Sequence, residues 1–285
     1  MRPLLAVDAP SLLYRAYFAL PKSITDDDGH PVNALLGTVN LILWAIEKHD
    51  PRAVVLCFGA EAAVYRKDLY PPYHAERPEM PPELEHQWAA ADDFFGAFGW
   101  DVEHHETLEA DDLLGSLASA EAGAGGTALL YTGDRDMFQC VSDSVSVLFP
   151  RGGKDGPELI GPTEVRKRYG VDPEQVPDFI ALRGDPSDGL PGAKGIGEKT
   201  AKDLLREHGS LEAAIAASVR LRPRIGAALR DDADQLRAFR EIATLVRVPL
   251  DPPPDRETDW LSAAAAARGR GMRRLAERLE RLAEP

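Results

Sequence analysis

Cysteine is almost absent from this chain. Cys57 and Cys140 stand far apart in the apolar contexts VLCF and FQCV, which excludes a disulfide framework and points to two reduced core thiols. Long apolar runs are missing too: none approaches the ~18 residues of a membrane span. The start, MRPLLAVDA, enters a strand-like run without a signal-peptide pattern, so a cytoplasmic protein is expected. Positive charge is scarce, with 33 Lys and Arg against 47 Asp and Glu and a net charge of −14. That sign argues at first against nucleic acid, but the location of charge matters more than its sum. Gly192–Arg230 carries eight Lys/Arg against four Asp/Glu. Either this is a directed basic surface or it is a solvated helix face. At 285 residues the chain suffices for one large domain or two small ones.

Against this background, eight carboxylates fall in four short clusters, each where the chain would turn at the end of an apolar run. They are Asp8, then Glu109, Asp111 and Asp112, then Asp134 and Asp136, then Asp185 and Asp188, in the contexts LLAVDAPSLLYRAY, EADDLLGSLA, LLYTGDRDMFQ and LRGDPSDGLPG. If they converge, like charges a few Å apart raise one another's pKa and cannot all ionise without cations. Hard oxygen ligands in that number suit Mg²⁺ or Mn²⁺ and metal-assisted phosphodiester chemistry. Two or three such ions would also cancel much of the negative charge. For any one acid taken alone, a solvated loop carboxylate is the simpler reading.

The first half alternates apolar strand-like runs (Leu4–Val7, Ala53–Phe58, Thr127–Tyr131, Val145–Phe149) with helix-period segments (Ser11–Ala19, Asn33–Lys48, Glu83–Phe98, Asp112–Ala122). This pattern predicts an α/β fold, a mostly parallel sheet flanked by helices, with ligands beyond the carboxyl ends of the strands. Lys67–Pro82 interrupts it. Five prolines alternate there with Tyr70, Tyr73, His74 and Arg77, and no regular structure is expected. From about Pro162 the strand signal disappears. Helices are expected near Pro162–Tyr169, Pro173–Leu182, Glu198–Glu207, Leu211–Ala217 and Ala233–Val246. This divides the chain into domains 1–161 and 162–285, with DPPPD (Asp251–Asp255) as a linker and a basic amphipathic helix in the tail.

LPGAKGIGEKTAKDLL (Leu190–Leu205) is the second signal. A glycine-rich loop enters a helix beside Lys194, Lys199 and Lys202. Glycines admit close approach of a phosphate, and a helix N-terminus offers free N–H groups. Gly197 is followed by Glu198 rather than Lys-Ser/Thr, so the loop is no Walker A. Thr200 stands where a dinucleotide fingerprint needs glycine. Helix–hairpin–helix binding of a DNA backbone remains, through the amides of Gly195 and Gly197 and the lysines, holding position without reading sequence.

With VDAPSLLYRAYFAL, EADDLLGSLA, TGDRDMFQCV, GDPSDGLPGAKGIGEKTA and the weaker YPPYHAERPEMP in this order, the chain resembles the bacterial 5′ nuclease family over roughly Leu4 to Val248. That family comprises flap endonucleases and the 5′–3′ exonuclease domain attached to bacterial DNA polymerase I. The resemblance implies a PIN-like domain followed by a helical helix–hairpin–helix domain, here in stand-alone form. It implies that the eight acids bind two or more Mg²⁺ or Mn²⁺ ions. Asp8, Glu109 and Asp111 would serve the first and Asp134, Asp136 and Asp185 the second, while Asp112 and Asp188 act through water. A K⁺ on backbone carbonyls of Gly192, Gly195 and Gly197 is implied as well. Tyr14, Arg15, Arg66, Tyr73, His74, Arg77 and Thr200 are expected DNA contacts beside Lys194, Gly195, Gly197, Lys199 and Lys202.

Two departures stand out. Many relatives carry an acid where Gly59 follows Phe58, and a Lys where His74 follows Tyr73. The expected activity is hydrolysis of DNA at 5′ flaps, nicks and recessed 5′ ends by a monomer associated with the nucleoid through DNA, in repair and replication. RNA/DNA hybrid, as in primer removal, is left open as a substrate. The alternatives are a DNA-junction-binding protein with weakened or lost nuclease activity, motivated by Gly59 and His74, and a PIN-type ribonuclease.

Overall fold

Short apolar runs, each followed by a helix, find their partners in a parallel sheet covered on both faces. The structure, a computed structural model, describes residues 1–151 and 156–284. Its strands are β1 (Leu4–Asp8), β2 (Ala53–Phe58), β3 (Asp101–His104), β4 (Ala128–Tyr131), β5 (Val145–Phe149) and β6 (Glu158–Ile160), in the order β3-β2-β1-β4-β5-β6. The first five are parallel and β6 runs antiparallel to β5. The helices of the first half are α1 (Ala9–Ala19), α2 (Asn33–His49), α3 (Val64–Leu69), α4 (Pro82–Ala89), α5 (Ala91–Gly96) and α6 (Ala110–Gly123). After β6 follow α7 (Pro162–Tyr169), α8 (Val176–Arg183), α9 (Glu198–His208), α10 (Leu211–Ala216), α11 (Pro223–Asp231), α12 (Ala233–Ala243), α13 (Trp260–Gly269) and α14 (Arg273–Leu282). Among the described residues no helix is long and apolar enough to cross a membrane.

Successive strand residues point to opposite faces, and each face has its own core. Leu4, Ala6, Val55, Cys57, Leu130 and Val147 pack with α6 and with α8, α9, α10 and α12, so the helical unit shares a continuous core with one face of the sheet. Leu5, Val7, Leu56, Phe58, Tyr131 and Leu148 pack under α1, α2, α4, α5, α13 and α14. The chain lays β2 and β3 on one side of β1, then crosses to lay β4 on the other. The carboxyl ends of β1 and β4, with Val7 opposite Tyr131, therefore meet at the switch point of the sheet, where a cleft is expected.

The tail departs from the expected organisation. It is not one helix attached to the second domain but two, α13 and α14, and both pack on the first half through Ala263, Ala267, Leu275 and Leu279. Apolar side chains on both helices join the core on that side of the sheet, α13 packing on α5 and α14 on α13, with Arg278–Glu47 and Arg273–Asp27 pairs at the margin. Asp251–Asp255 is irregular but fastened. Arg52 donates to Pro253 O at 2.6 Å and to Asp255 at 2.9 Å, and Trp100 Nε1 donates to Thr258 at 3.0 Å. The expected Glu83–Phe98 helix is divided at Ala90. The edge strand β3 reads DVEH and escapes a search for apolar runs because it is largely exposed.

Candidate active site

Asp8 ends β1 and caps α1. Its Oδ1 accepts from Ser11 N at 2.9 Å and its Oδ2 from Thr132 Oγ1 at 2.6 Å. Thr132 Oγ1 also accepts from Asp134 N at 2.9 Å, and Ser11 Oγ accepts from Gly133 N at 3.0 Å. Two hydroxyls thus lock the ends of β1 and β4 together and hold Asp8 close behind Asp134, which lines the pocket. Glu109 caps α6, accepting from Ala63 N at 2.7 Å. Asp134 Oδ1 accepts from Asp136 N at 2.8 Å, folding the turn that presents both acids. Glu109, Asp111, Asp134, Asp136 and Asp188 line the pocket together with Arg66, Tyr73, His74 and Arg77. Asp8 and Asp185 stand behind it, close enough to act on Asp134 electrostatically.

The eight acids divide into two groups. Four have cationic neighbours. Arg66 pairs with both Asp112 and Glu109, Arg183 with Asp185 at 3.2 Å, and His74 Nε2 lies 3.0 Å from Asp188 with Arg77 at 3.8 Å. The other four, Asp8, Asp111, Asp134 and Asp136, make no ion pair among the described residues. They are also the four that burial and crowding push above the usual carboxylate range. Burial raises Asp8 against the pull of its Thr132 and Ser11 hydrogen bonds. Burial, then Asp134, Asp8 and Glu109, push Asp111 well up. Burial with Asp188, Asp8 and Asp185 brings Asp134 up to about 7. Burial with Asp134, Asp188 and Asp185 pushes Asp136 well up. A carboxylate set with this electrostatic demand, whose members form no ion pair among the described residues, fits divalent metal ions.

Several expected DNA contacts turn inward instead. Arg66 is only 2% exposed. Its Nη1 and Nη2 donate to Asp112 at 2.9 Å each, Nη1 lies 3.1 Å from Glu109, and Nε donates to Ile242 O at 3.0 Å. Burial works against its charge, and Glu109 and Asp112 outweigh it. Asp112 also accepts from Val246 N at 2.8 Å and Glu109 N at 3.2 Å, so its oxygens are consumed inside the fold and it does not face the pocket as a ligand. Tyr73 is buried and donates to Glu109 at 3.1 Å. His74 is no surface residue. It takes a left-handed backbone (φ +56°), stacks on Tyr73 at 3.8 Å and lodges against Asp188. Arg77 stays at the rim, partly exposed. Tyr14 is half-buried between Phe18 and Trp88, and Arg15 is half-buried on α1 without an ion pair among the described residues.

Gly59 leaves no room for the acid that its position suggests. An added Cβ would overlap Glu109 C and Ala110 N and stand 2.6 Å from Leu108 O. The end of β2 therefore packs backbone to backbone against the start of α6.

The hairpin joins α8 to α9. At Gly192 (φ +68°) a Cβ would lie 2.5 Å from Arg183 C, so the loop closes by direct backbone contact. Gly195 and Gly197 are exposed, and the space around Gly197 is open. Lys194 and Lys199 are exposed without ion pairs among the described residues, and Thr200 is half-buried in the first turn of α9. Lys202 is occupied: it donates to Arg168 O at 3.1 Å and pairs with Glu198. Arg224, exposed and within about 3.5 Å of the Gly195 position, joins this surface although its sequence context, RPRIG, carries no motif.

A mostly parallel α/β sheet with crowded carboxylates at its switch point, completed by a hairpin-bearing helical unit, defines a protein of the metal-dependent nuclease class. Residues 3–170 match the family described as 5′-3′ exonuclease, N-terminal resolvase-like domain, and residues 171–258 match 5′-3′ exonuclease, C-terminal SAM fold. The chain belongs to the 5′-3′ exonuclease family. It is 38% identical over 254 residues to DNA polymerase I of Mycobacterium tuberculosis, covering 88% of this chain and 28% of the polymerase. It is 38% identical over 276 residues to the thermostable DNA polymerase I of Thermus aquaticus, covering 97% of this chain and 32% of that protein. The chain thus spans about a third or less of the length of these relatives. The fold is shared with the T5 D15 protein co-crystallised with metal ions (TM-score 0.70, 18% identity, 99% of this chain and 100% of that one). It is shared too with the catalytic core of Rad2 in complex with DNA substrate (TM-score 0.64, 16% identity, 100% and 93%).

Proposed function

We propose that this chain is a metal-dependent 5′ nuclease that cuts DNA at 5′ flaps and trims the 5′ ends of nicked or recessed duplexes. The observation that carries this reading is the set of four buried or half-buried carboxylates without an ion pair among the described residues, three lining a pocket and Asp8 behind it, together with a hairpin whose Gly197, Lys194 and Lys199 are exposed. Asp8, Asp111, Asp134 and Asp136 would hold two or three Mg²⁺ or Mn²⁺ ions, with Glu109, Asp185 and Asp188 completing the shell. When bound, such ions neutralise the phosphate and lower the pKa of an attacking water. The chain's own residues prepare that chemistry. Ser11 and Thr132 fix Asp8, Arg66 and Tyr73 fix Glu109, and the α8–α9 connection delivers Asp185 and Asp188. Arg77 at the rim offers a charge-assisted hydrogen bond to a phosphate oxygen. Lys194, Lys199 and the amides of Gly195 and Gly197 grip the duplex backbone without reading bases, which positions the junction and supplies much of the rate. The carbonyls of Gly192, Gly195 and Gly197 are the proposed seat of K⁺. RNA in the 5′ strand meets no evident obstacle at such a sequence-blind grip. A monomer in the cytoplasm, associated with the nucleoid through DNA, fits this reading.

The test is a 5′-flap DNA labelled at its 5′ end, incubated with Mg²⁺, Mn²⁺ or EDTA. Metal-dependent release of a flap-length fragment is the expected result, with mononucleotides reporting the exonuclease share. Asp134→Asn should abolish turnover while keeping the fold. Tight junction binding with no cutting under either metal would refute the nuclease reading in favour of a binding protein. Preference for single-stranded RNA would point instead to a ribonuclease.

A further inference from the structure

Asp26, His30 and His86 place one ligand atom each within 4.8 Å of one another, outside the carboxylate pocket. Among the described residues they are the one set of three or more His, Cys, Asp or Glu so arranged. Asp26 and His30 belong to the loop between α1 and α2. This loop is closed by the Thr25–Pro31 bridge and by Asp26 N donating to His30 O at 2.9 Å. The Oδ1 of Asp26 accepts from His30 N at 2.8 Å and from Asp28 N at 3.0 Å, while its Oδ2 lies 3.7 Å from His30 Nδ1. His86 comes from α4. That helix is fixed against the start of α2, where the loop ends, by Gln87, whose Oε1 accepts from Ala34 N at 2.7 Å and whose Nε2 donates to Asn33 at 3.1 Å. Glu83 adds contacts to Tyr17 at 3.1 Å and Lys22 at 3.3 Å. Beside the buried Gln87–Asn33 contact, His86 stands over His30, with ring centroids 4.7 Å apart and planes tilted by 31°.

We propose that Asp26, His30 and His86 form a second metal site, selective for Zn²⁺ or a similar late transition ion, that clamps the α1–α2 loop to α4. The donor set decides the selectivity. Two imidazole nitrogens and one carboxylate suit Zn²⁺, Co²⁺ or Ni²⁺, whereas Mg²⁺ prefers oxygen alone. Three protein ligands leave a fourth tetrahedral position for water. Ligand atoms on a tetrahedral zinc stand about 3.4 Å apart, given bonds near 2.0–2.1 Å; Asp26 Oδ2 and His30 Nδ1, 3.7 Å apart, are already near that spacing, and no pair has to close by more than roughly 1.4 Å. Side-chain rotation accomplishes this, because both imidazoles are exposed and the backbone on both sides is already held. The consequence is mechanical. α4 is where the chain re-enters the sheet body after the excursion bearing Tyr73, His74 and Arg77, so an ion here would stiffen the foot of that excursion without touching the carboxylate pocket.

The experiment uses the full chain in saturating Mg²⁺, added to fill the carboxylate pocket, with one equivalent of Co²⁺ or Zn²⁺ as the probe. One equivalent of Co²⁺ should bind with the absorption of a nitrogen-ligated ion, and Zn²⁺ should raise the thermal midpoint. His86→Gln and His30→Asn should each weaken binding at least by the roughly 10–100-fold that loss of an outer partner costs such sites. Asp134→Asn should leave both signals intact. Unchanged Co²⁺ binding in the histidine variants, or its loss in Asp134→Asn, would overturn the proposal. As a measurement on the unmutated protein, the ring resonances of His30 and His86 should shift with one equivalent of Zn²⁺, and static resonances would overturn it equally. DNA cleavage is not read out, so failure here and failure of the nuclease reading are separable.

Discussion

Replacing Arg66 by Met discriminates between a DNA-contacting arginine and a buried structural one. The guanidinium makes two hydrogen bonds to Asp112, lies 3.1 Å from Glu109 and donates to Ile242 O. Removing it leaves Asp112, which is fully buried, and Glu109, which is nearly so, facing each other without a counter-charge. Breaking a buried pair by deleting one partner costs about 3–5 kcal/mol, and the orphaned Ile242 carbonyl adds ~1 kcal/mol. That is a large share of the ~5–15 kcal/mol by which a folded protein is stable. Unfolding in urea should show the loss directly, with the thermal midpoint falling on the order of 10 °C. Arg66→Lys should recover only part, since a point charge cannot serve two carboxylates and a carbonyl at once. DNA affinity of the folded fraction should keep its salt dependence. Stability unchanged within about 1 kcal/mol, together with a salt slope reduced by one phosphate contact, would refute the argument and return Arg66 to the DNA surface.

Other outcomes follow from the same geometry. Asp8, Asp111, Asp134 and Asp136 bind protons more tightly folded than unfolded, since the unfolded value is about 3.9 and Asp134 rises to about 7. The native state therefore holds the extra protons, and the metal-free protein should lose stability as pH rises from about 4 to about 7. Thermal unfolding in EDTA should show this decline and saturating Mg²⁺ should flatten it; stability that climbs through that window without metal would contradict the burial argument. Gly59→Asp should lower stability by about 1–3 kcal/mol and reduce cleavage rather than improve it, because the new side chain displaces the start of α6; a more active variant of normal stability would show that α6 yields. Lys199→Ala should reduce the salt slope of DNA binding by about 0.9, whereas Lys202→Ala should leave the slope alone. Equal slopes for the two variants would remove the distinction drawn from the Lys202–Arg168 contact.

Sequence patterning reached the sheet because its central strands are apolar on both faces. Ala53–Phe58 and Val145–Phe149 occur as expected, residue for residue. β3 was out of reach because an edge strand such as DVEH needs no apolar face. α11 was missed because RPRIGAALRDD, with Pro and Gly among few large apolar residues, shows no helical stripe until Leu229 finds the helical core. The acids were legible as a set, since carboxylates that recur at the ends of buried apolar runs are costly to a fold unless a site gathers them. Their division into paired and unpaired members was not, because it depends on Arg66 reaching Asp112 across 46 residues of sequence. Thr132 and Ser11 look like ordinary turn residues until the crossing between β1 and β4 brings them together. Asp26, His30 and His86 carry no motif spacing at all; α4 alone makes them neighbours.

The segment after α12 gives the helical unit a second attachment. The chain leaves the sheet after β6 and returns along 245–259. There Leu245 N donates to Gln139 at 3.1 Å, Val248 N to Ser116 at 3.0 Å and Asp259 N to Phe98 O at 2.8 Å. The hairpin unit is therefore a handle fixed at both ends rather than a flag on one hinge. Rotation about a single joint cannot carry Asp185 and Asp188 away from the pocket; both attachments would have to bend together. The two acids from the far part of the chain accordingly keep a high local concentration at the pocket, set by a closed loop of backbone rather than by their own contacts.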